Sequence, residues 1–304
     1  MTLFQKLLFK YRRHLSTYRA KVTVPYDLTE NQCHQKIREA LHSKKPFFLG
    51  RIGWTEADAL GRWITEKTVP DKVKKPLAEW SGVFPVDDDE LKKFEFTYRE
   101  ALPQADILAF ADPLIYSPAA AYQGWLYRRY APQALITSFP SLEPFFSLDP
   151  WSWELRGLKI LVVHPFKESI LKQYATMREK IFLNPKILPE FRLKVIQSPQ
   201  TIPGVLKQYP SWSDTLEALK NQIGREDFDV AILGCGAYGF PLAADVKKMG
   251  KVALHLGGIT QLFFGIKGQR WDSNQPHYRS LMTEAWSTAL QVEHPPGFET
   301  RDYW

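Results

Sequence analysis

Apolar residues in this chain come in short continuous blocks, and polar, helix-periodic stretches separate the blocks. The blocks are "PFFLGRIG" (46–53), "DILAFA" (106–111), "ALITSF" (134–139), "KILVVHP" (159–165), "RLKVIQS" (192–198), "DVAILGCG" (229–236) and "KVALHLGG" (251–258). Unbroken apolar strands suit a parallel sheet covered on both faces. The intervening periodicity predicts helices near 30–43, 87–101, 119–130, 168–183, 213–223, 239–249, 259–265 and 277–291. A further helix opens at "TEADALGRWI" (55–64), where Thr55 followed by Asp58 reads as a capping-box-like start. The alternation makes the fold class α/β: a doubly wound, mostly parallel, Rossmann-like sheet with helices on both faces. "SLEPFFSLDPWSW" (141–153) is rich in proline and aromatics, so it reads as irregular and as a hinge candidate. The domain reading is a basic segment, 1–26, followed by one α/β domain, 27–304, divisible into halves 27–150 and 151–304.

Composition adds a charge asymmetry to this outline. The chain of 304 residues carries a net charge of +7, and Lys6, Lys10, Arg12, Arg13, Arg19 and Lys21 supply six of those charges with no acidic residue before Asp27. The domain itself is therefore close to neutral, which argues against a nucleic-acid protein. Leu3, Phe4, Leu7, Leu8, Phe9 and Tyr11 interleave with the cations, as in an amphipathic helix lying on an anionic membrane surface. The alternative neighbours for that oily face are the protein's own domain and a second copy in a homo-oligomer. The run is too short to span a bilayer, and no secretory cleavage site follows it. Two distant cysteines form no metal or redox motif, so the expected setting is cytoplasmic, at the inner membrane face if the N-terminus is an anchor.

In open parallel sheets, ligands sit where strands give way to helices. The strand-end residues here are Arg51, Gly53 and Glu56; Asp112 and Tyr116; His164 and Lys167; Gly234 to Gly239; and His255 to Gln261. Gly234, Gly236 and Gly239 fit G-x-G-x-x-G between a strand and a helix, and Tyr238 lies inside the turn. Bare amides at a helix start attract an anion, so this turn is a candidate phosphate or sugar-nucleotide contact. The competing reading is tight packing of helix on strand. A nicotinamide site is disfavoured because His255, and no acidic residue, closes the next strand. Gly257, Gly258, Thr260 and Gln261 repeat the pattern, with Lys267 and Arg270 in reach of a diphosphate. Glu56 is a candidate base or metal ligand, and its alternative role is to stabilise a helix N-terminus. His164, held before Pro165, is a candidate catalytic residue or a structural one.

"RIGWTE" resembles the R-x-G-D-x-E turn of the GT-D-fold bacterial glycosyltransferases. "VVHPF", "LPEFRLKVIQSPQTI", "GCGAYGFPLAADVKKMGK" and "HLGGITQLFFGIKGQRWD" look like proteins associated with cell-surface polysaccharide gene clusters. The resemblance spans most of 45–272. It implies transfer of a sugar from a nucleotide-diphosphate donor to a glycan or lipid-linked acceptor, with manganese or magnesium held by a D-x-E turn. Arg51, Gly53 and Glu56 fall on the family's positions, but Trp54 replaces the Asp and cannot ligate a metal. Asp58 is the substitute ligand one turn on; otherwise Arg51, Lys267 and Arg270 neutralise the leaving diphosphate. Trp54, Tyr116 and Trp271 are candidates to stack on base or sugar. Two other functions fit the fold: a non-catalytic adaptor in a polysaccharide assembly complex, and an NAD-dependent sugar-nucleotide enzyme. The second lacks the Tyr-x-x-x-Lys pair it needs.

Overall fold

A computed structural model describes residues 26–110, 118–201, 207–271 and 275–294. Asp112, Tyr116 and the basic segment 1–25 lie outside the described residues. The described residues build one sheet of seven parallel strands: β1 (Phe47–Gly50), β2 (Ile107–Phe110), β3 (Leu135–Ser138), β4 (Lys159–His164), β5 (Arg192–Gln197), β6 (Val230–Leu233) and β7 (Val252–His255). Their order is β3-β2-β1-β7-β6-β4-β5. Strands β1, β2, β4, β6 and β7 are buried almost throughout, the property that their unbroken apolar runs predict.

The helices are α1 (Glu30–Ser43), α2 (Trp54–Glu66), α3 (Asp71–Ser81), α4 (Asp88–Ala101), α5 (Pro118–Tyr130), α6 (Lys167–Ile181), α7 (Trp212–Ile223), α8 (Gly239–Lys248) and α9 (Thr260–Phe263). Apolar residues of α2, α3, α4, α5, α7 and α8 fill one core layer, and those of α1, α6 and α9 fill the other. β7 belongs to the second half of the sequence yet pairs with β1, so halves 27–150 and 151–304 share one continuous sheet. The hinge candidate is anchored at both ends, with Ser141, Leu142, Phe145, Trp151 and Ser152 buried, while Phe146 and Leu148 between them are exposed.

Several local expectations need correction. Helix α2 starts after Gly53, which caps it through extended backbone and no side chain, so Thr55 is not its cap. A reciprocal capping box does occur, at Thr29 and Gln32 of α1. Helix α3 was not expected; Pro76 inside it obscures the periodicity. The expected helix 277–291 is instead 3-10 turns, Pro276–Leu281 and Gln291–Glu293, joined by irregular chain. The polar groups of the joining stretch bond outward: Ser287 pairs with Gly265 and Lys267, and the Trp286 indole donates to Ile181. Those partners replace an intrahelical ladder.

Candidate functional site

The order of the strands fixes where a ligand fits. The chain leaves β1 toward the α2 layer, but leaves neighbouring β7 toward the α9 layer. Departure to opposite faces opens a crevice at the carboxyl ends of β1 and β7, the topological switch point of an open sheet.

Helix α5 sets the β1 side of this crevice. The Tyr127 hydroxyl accepts from the Ile52 amide at 3.0 Å and donates to the Ala109 carbonyl at 3.0 Å, while Gln123 donates to the Ile52 carbonyl at 2.6 Å. With Ile52 gripped, Arg51 and Gly53 project on either side of it. The Arg51 guanidinium lies over the Phe139 ring, 4.6 Å from its centroid, and against Gly257. Gly257 has φ +65°, and a Cβ there would stand 3.2 Å from Nε and Nη2 of Arg51. Gly257 and Gly258 are both partly exposed, so amide-bearing backbone and a cation share the open rim.

Behind that rim lies a polar cluster that the sequence did not reveal. Glu143, just past the 3-10 turn Pro140–Leu142, accepts a 2.5 Å hydrogen bond from the Tyr278 hydroxyl. Burial pushes the Glu143 carboxyl up to about 7, and the Tyr278 bond and the Arg51 charge oppose the rise. Burial, followed by the Glu143 charge, raises the Tyr278 hydroxyl, whereas Arg51 and Arg270 pull it down. Arg51, Arg270, Glu143 and Tyr278 therefore form one electrostatic group drawn from four separate stretches of chain. The only sequence signal for Glu143 was an acid set between Leu142 and the run Pro144, Phe145 and Phe146.

Other candidates have different surroundings. At the G-x-G-x-x-G turn the glycines approach neighbouring chain closely, while Gly236 is exposed. A Cβ on Gly239 would stand 2.5 Å from the His255 ring, one on Gly234 2.5 Å from Thr260 Oγ1, and one on Gly236, at φ +56°, 2.8 Å from the Ser81 carbonyl. Tyr238 is buried, bonded to Thr201 at 2.8 Å and stacked on Trp212. These glycines permit close packing of α8 and its neighbours. His164 is buried, its Nδ1 accepts from the Phe166 amide at 3.0 Å, and burial holds it down at about 3. Burial thus keeps this imidazole neutral near pH 7. His255 is held down to about 3 as well, first by burial and then by the Arg51 charge. Thr260 and Gln261 are fully buried; Lys267 and Arg270 are partly exposed, and Trp271 belongs to the core. Trp54 opens α2, partly exposed.

The carboxylates do not assemble as metal ligands. Glu56 folds back over its own helix start: a Cβ on Gly53 would stand 2.1 Å from Glu56 Oε2, and Thr55 Oγ1 donates to that oxygen at 2.9 Å. Asp58 is ion-paired with Arg62 at 2.8 Å. Among the described residues no three His, Cys, Asp or Glu side chains form a group able to hold an ion. Glu56 and Asp58 are thus each engaged with a neighbour on α2, and the charged groups at the β1–β7 crevice are the cations Arg51 and Arg270. A groove of about 680 Å³ between α6 and residues 283–290 contains none of the site candidates.

No protein-family profile and no curated protein matches this chain. Among solved structures, it is similar to a selenomethionine-substituted domain of unknown function 1792, at 14% identity over 96% of this chain and 91% of that one, with a TM-score of 0.45. It is similar to another structure of that domain, described as having a distinct glycosyltransferase fold, at 14% identity, 89% and 87% coverage and a TM-score of 0.43. A third, a new glycosyltransferase of the same domain from Streptococcus sanguinis, matches at 14% identity over 76% of this chain and 81% of that one, with a TM-score of 0.43. Likeness at this level assigns no activity to the chain.

Proposed function

We propose that this protein is a glycosyltransferase that moves a sugar from a nucleotide-diphosphate donor to a cell-surface glycan or lipid-linked acceptor. The observation that carries the reading is the contact of Arg51 with Gly257 across the β1–β7 crevice. A planar, permanently charged donor fork beside two partly exposed glycines is suited to a diphosphate. Arg270 shares the electrostatic group of Arg51, and Lys267 stands three residues before it on the same segment. As the sugar leaves, negative charge grows on the diphosphate, and fixed cations stabilise that charge without reorganising. Trp54 at the start of α2 offers a ring for base or sugar.

No described helix is long and apolar enough to cross a membrane. The basic segment 1–22 would hold the enzyme at an anionic membrane surface, where a lipid-linked acceptor resides. Calorimetry with UDP-, GDP-, dTDP- and CMP-sugars tests the central reading. Binding by at least one donor, released by raised salt, is expected; binding by none overturns it.

A further inference from the structure

We propose that Glu143 is the residue that takes the proton from the acceptor hydroxyl during sugar transfer. The inference rests on the glycosyl-transfer reading and names a catalytic residue outside the motifs that suggested it. Glu56 was the sequence candidate for a base, but its carboxylate is engaged at the start of α2, with Thr55 and folded over Gly53. Glu143 belongs to the opposite layer, beyond the end of β3, and faces the crevice cation Arg51.

The geometry suits proton transfer. A general base must be fixed, reachable and matched in basicity to the working pH. Glu143 is fixed through Tyr278, which donates to Oε1 at 2.5 Å and whose own ring packs on Phe145 and Phe146 with centroids 6.4 and 6.0 Å away. It is reachable because the residue keeps partial exposure. Its basicity is set near neutrality, about 7, by burial.

The step balances within the substrates named. The acceptor O–H proton passes to the Glu143 carboxylate, and the freed oxygen pair forms a bond to the anomeric carbon of the donor. The bond from that carbon to the diphosphate oxygen breaks, and its electron pair leaves on the diphosphate, which Arg51 and Arg270 neutralise. Direct displacement of this kind inverts the anomeric centre.

Glu143→Gln is the discriminating variant, because its amide oxygen still accepts from Tyr278. Nucleotide binding is read with UDP, GDP and dTDP, and transfer is read as nucleotide release from the donor that binds, with isolated cell-envelope glycan as acceptor. The expected result is nucleotide affinity within threefold of wild type and transfer reduced by about 10²–10⁴, the usual contribution of a general base. Glu143→Asp should recover part of the loss. Tyr278→Phe, which keeps the carboxylate, should retain more transfer than Glu143→Gln. Transfer within threefold of wild type in Glu143→Gln overturns the role of Glu143 and leaves the enzyme reading standing. Equal loss of nucleotide affinity and transfer also overturns it, making Glu143 a binding residue. A wild-type protein that binds no nucleotide and releases none overturns both.

Discussion

The guanidinium of Arg51 lies against Gly257 across the β1–β7 crevice, so close that an added methyl carbon would stand 3.2 Å from Nε and Nη2 and the arginine would have to shift to admit it. The consequence is a strong prediction for one atom. Gly257→Ala places a Cβ 3.2 Å from Arg51 at φ +65°, where a side-chain-bearing residue is disfavoured by about 1–2 kcal/mol. Stability should fall by about that amount in urea titration. Nucleotide affinity should fall at least tenfold, because the cation is displaced from the rim.

Gly239→Ala should behave in the opposite manner. The added carbon would stand 2.5 Å from the buried His255 ring, and overpacking a core typically costs about 1–3 kcal/mol. The predicted signature is a lower urea midpoint with nucleotide affinity of the folded protein changed less than in Gly257→Ala. The reverse ranking would restore the glycine-rich turn as the ligand cradle.

Acid should destabilise the protein well before its surface carboxylates titrate. Burial holds His34 at about 4 and His164 and His255 at about 3, below the usual value of 6.5. Between about pH 6.5 and these values the unfolded chain binds protons that the folded chain refuses. The stability these groups contribute is therefore complete above pH 6.5 and is lost as pH falls toward 3–4, with a slope of about 1.4 kcal/mol per pH for each histidine. Glu143 has the opposite sign. It is raised from 4.5 to about 7, so its contribution is present below 4.5 and is lost as pH rises through 7. Arg51, Glu30 and Tyr278 face it, and Arg270 acts on Tyr278. Urea midpoints should rise with pH up to about 6.5, where three histidines outweigh one carboxyl, and fall slightly from there to about 7; Glu143→Gln should steepen the rise above pH 4.5 and abolish the fall.

Much of the fold was legible because burial on two faces leaves a sequence mark that needs no tertiary information. All seven strands appear within the marked blocks; the five inner strands are apolar and buried on both faces, whereas the edge strands β3 and β5 are partly exposed. Helix α3 and the irregular 283–290 stretch were not legible, because a proline masks one and outward bonding to α6 and residues 265–267 decides the other. The site divided in the same way. Arg51 and Gly257 stand at strand ends, and strand ends can be read. The glycines of 234–239 fit a motif and also pack closely on Thr260, Ser81 and His255, and Glu143 and Tyr278, 135 residues apart, meet only through the fold.

The charge of the N-terminal segment carries a separate expectation. Removing residues 1–22 takes away all six cations that precede Asp27. The truncated protein should pass from the membrane to the soluble fraction with its thermal midpoint unchanged; unchanged fractionation would rule out the anchor.

The most direct measurement is calorimetric titration of UDP, GDP and dTDP into the wild-type protein and into Arg51→Ala. At least one nucleotide should bind the wild type, and Arg51→Ala should weaken that binding at least tenfold, the usual scale for a charge-assisted hydrogen bond. Equal affinity in the two proteins, or no binding to the wild type, would contradict a diphosphate site in the β1–β7 crevice.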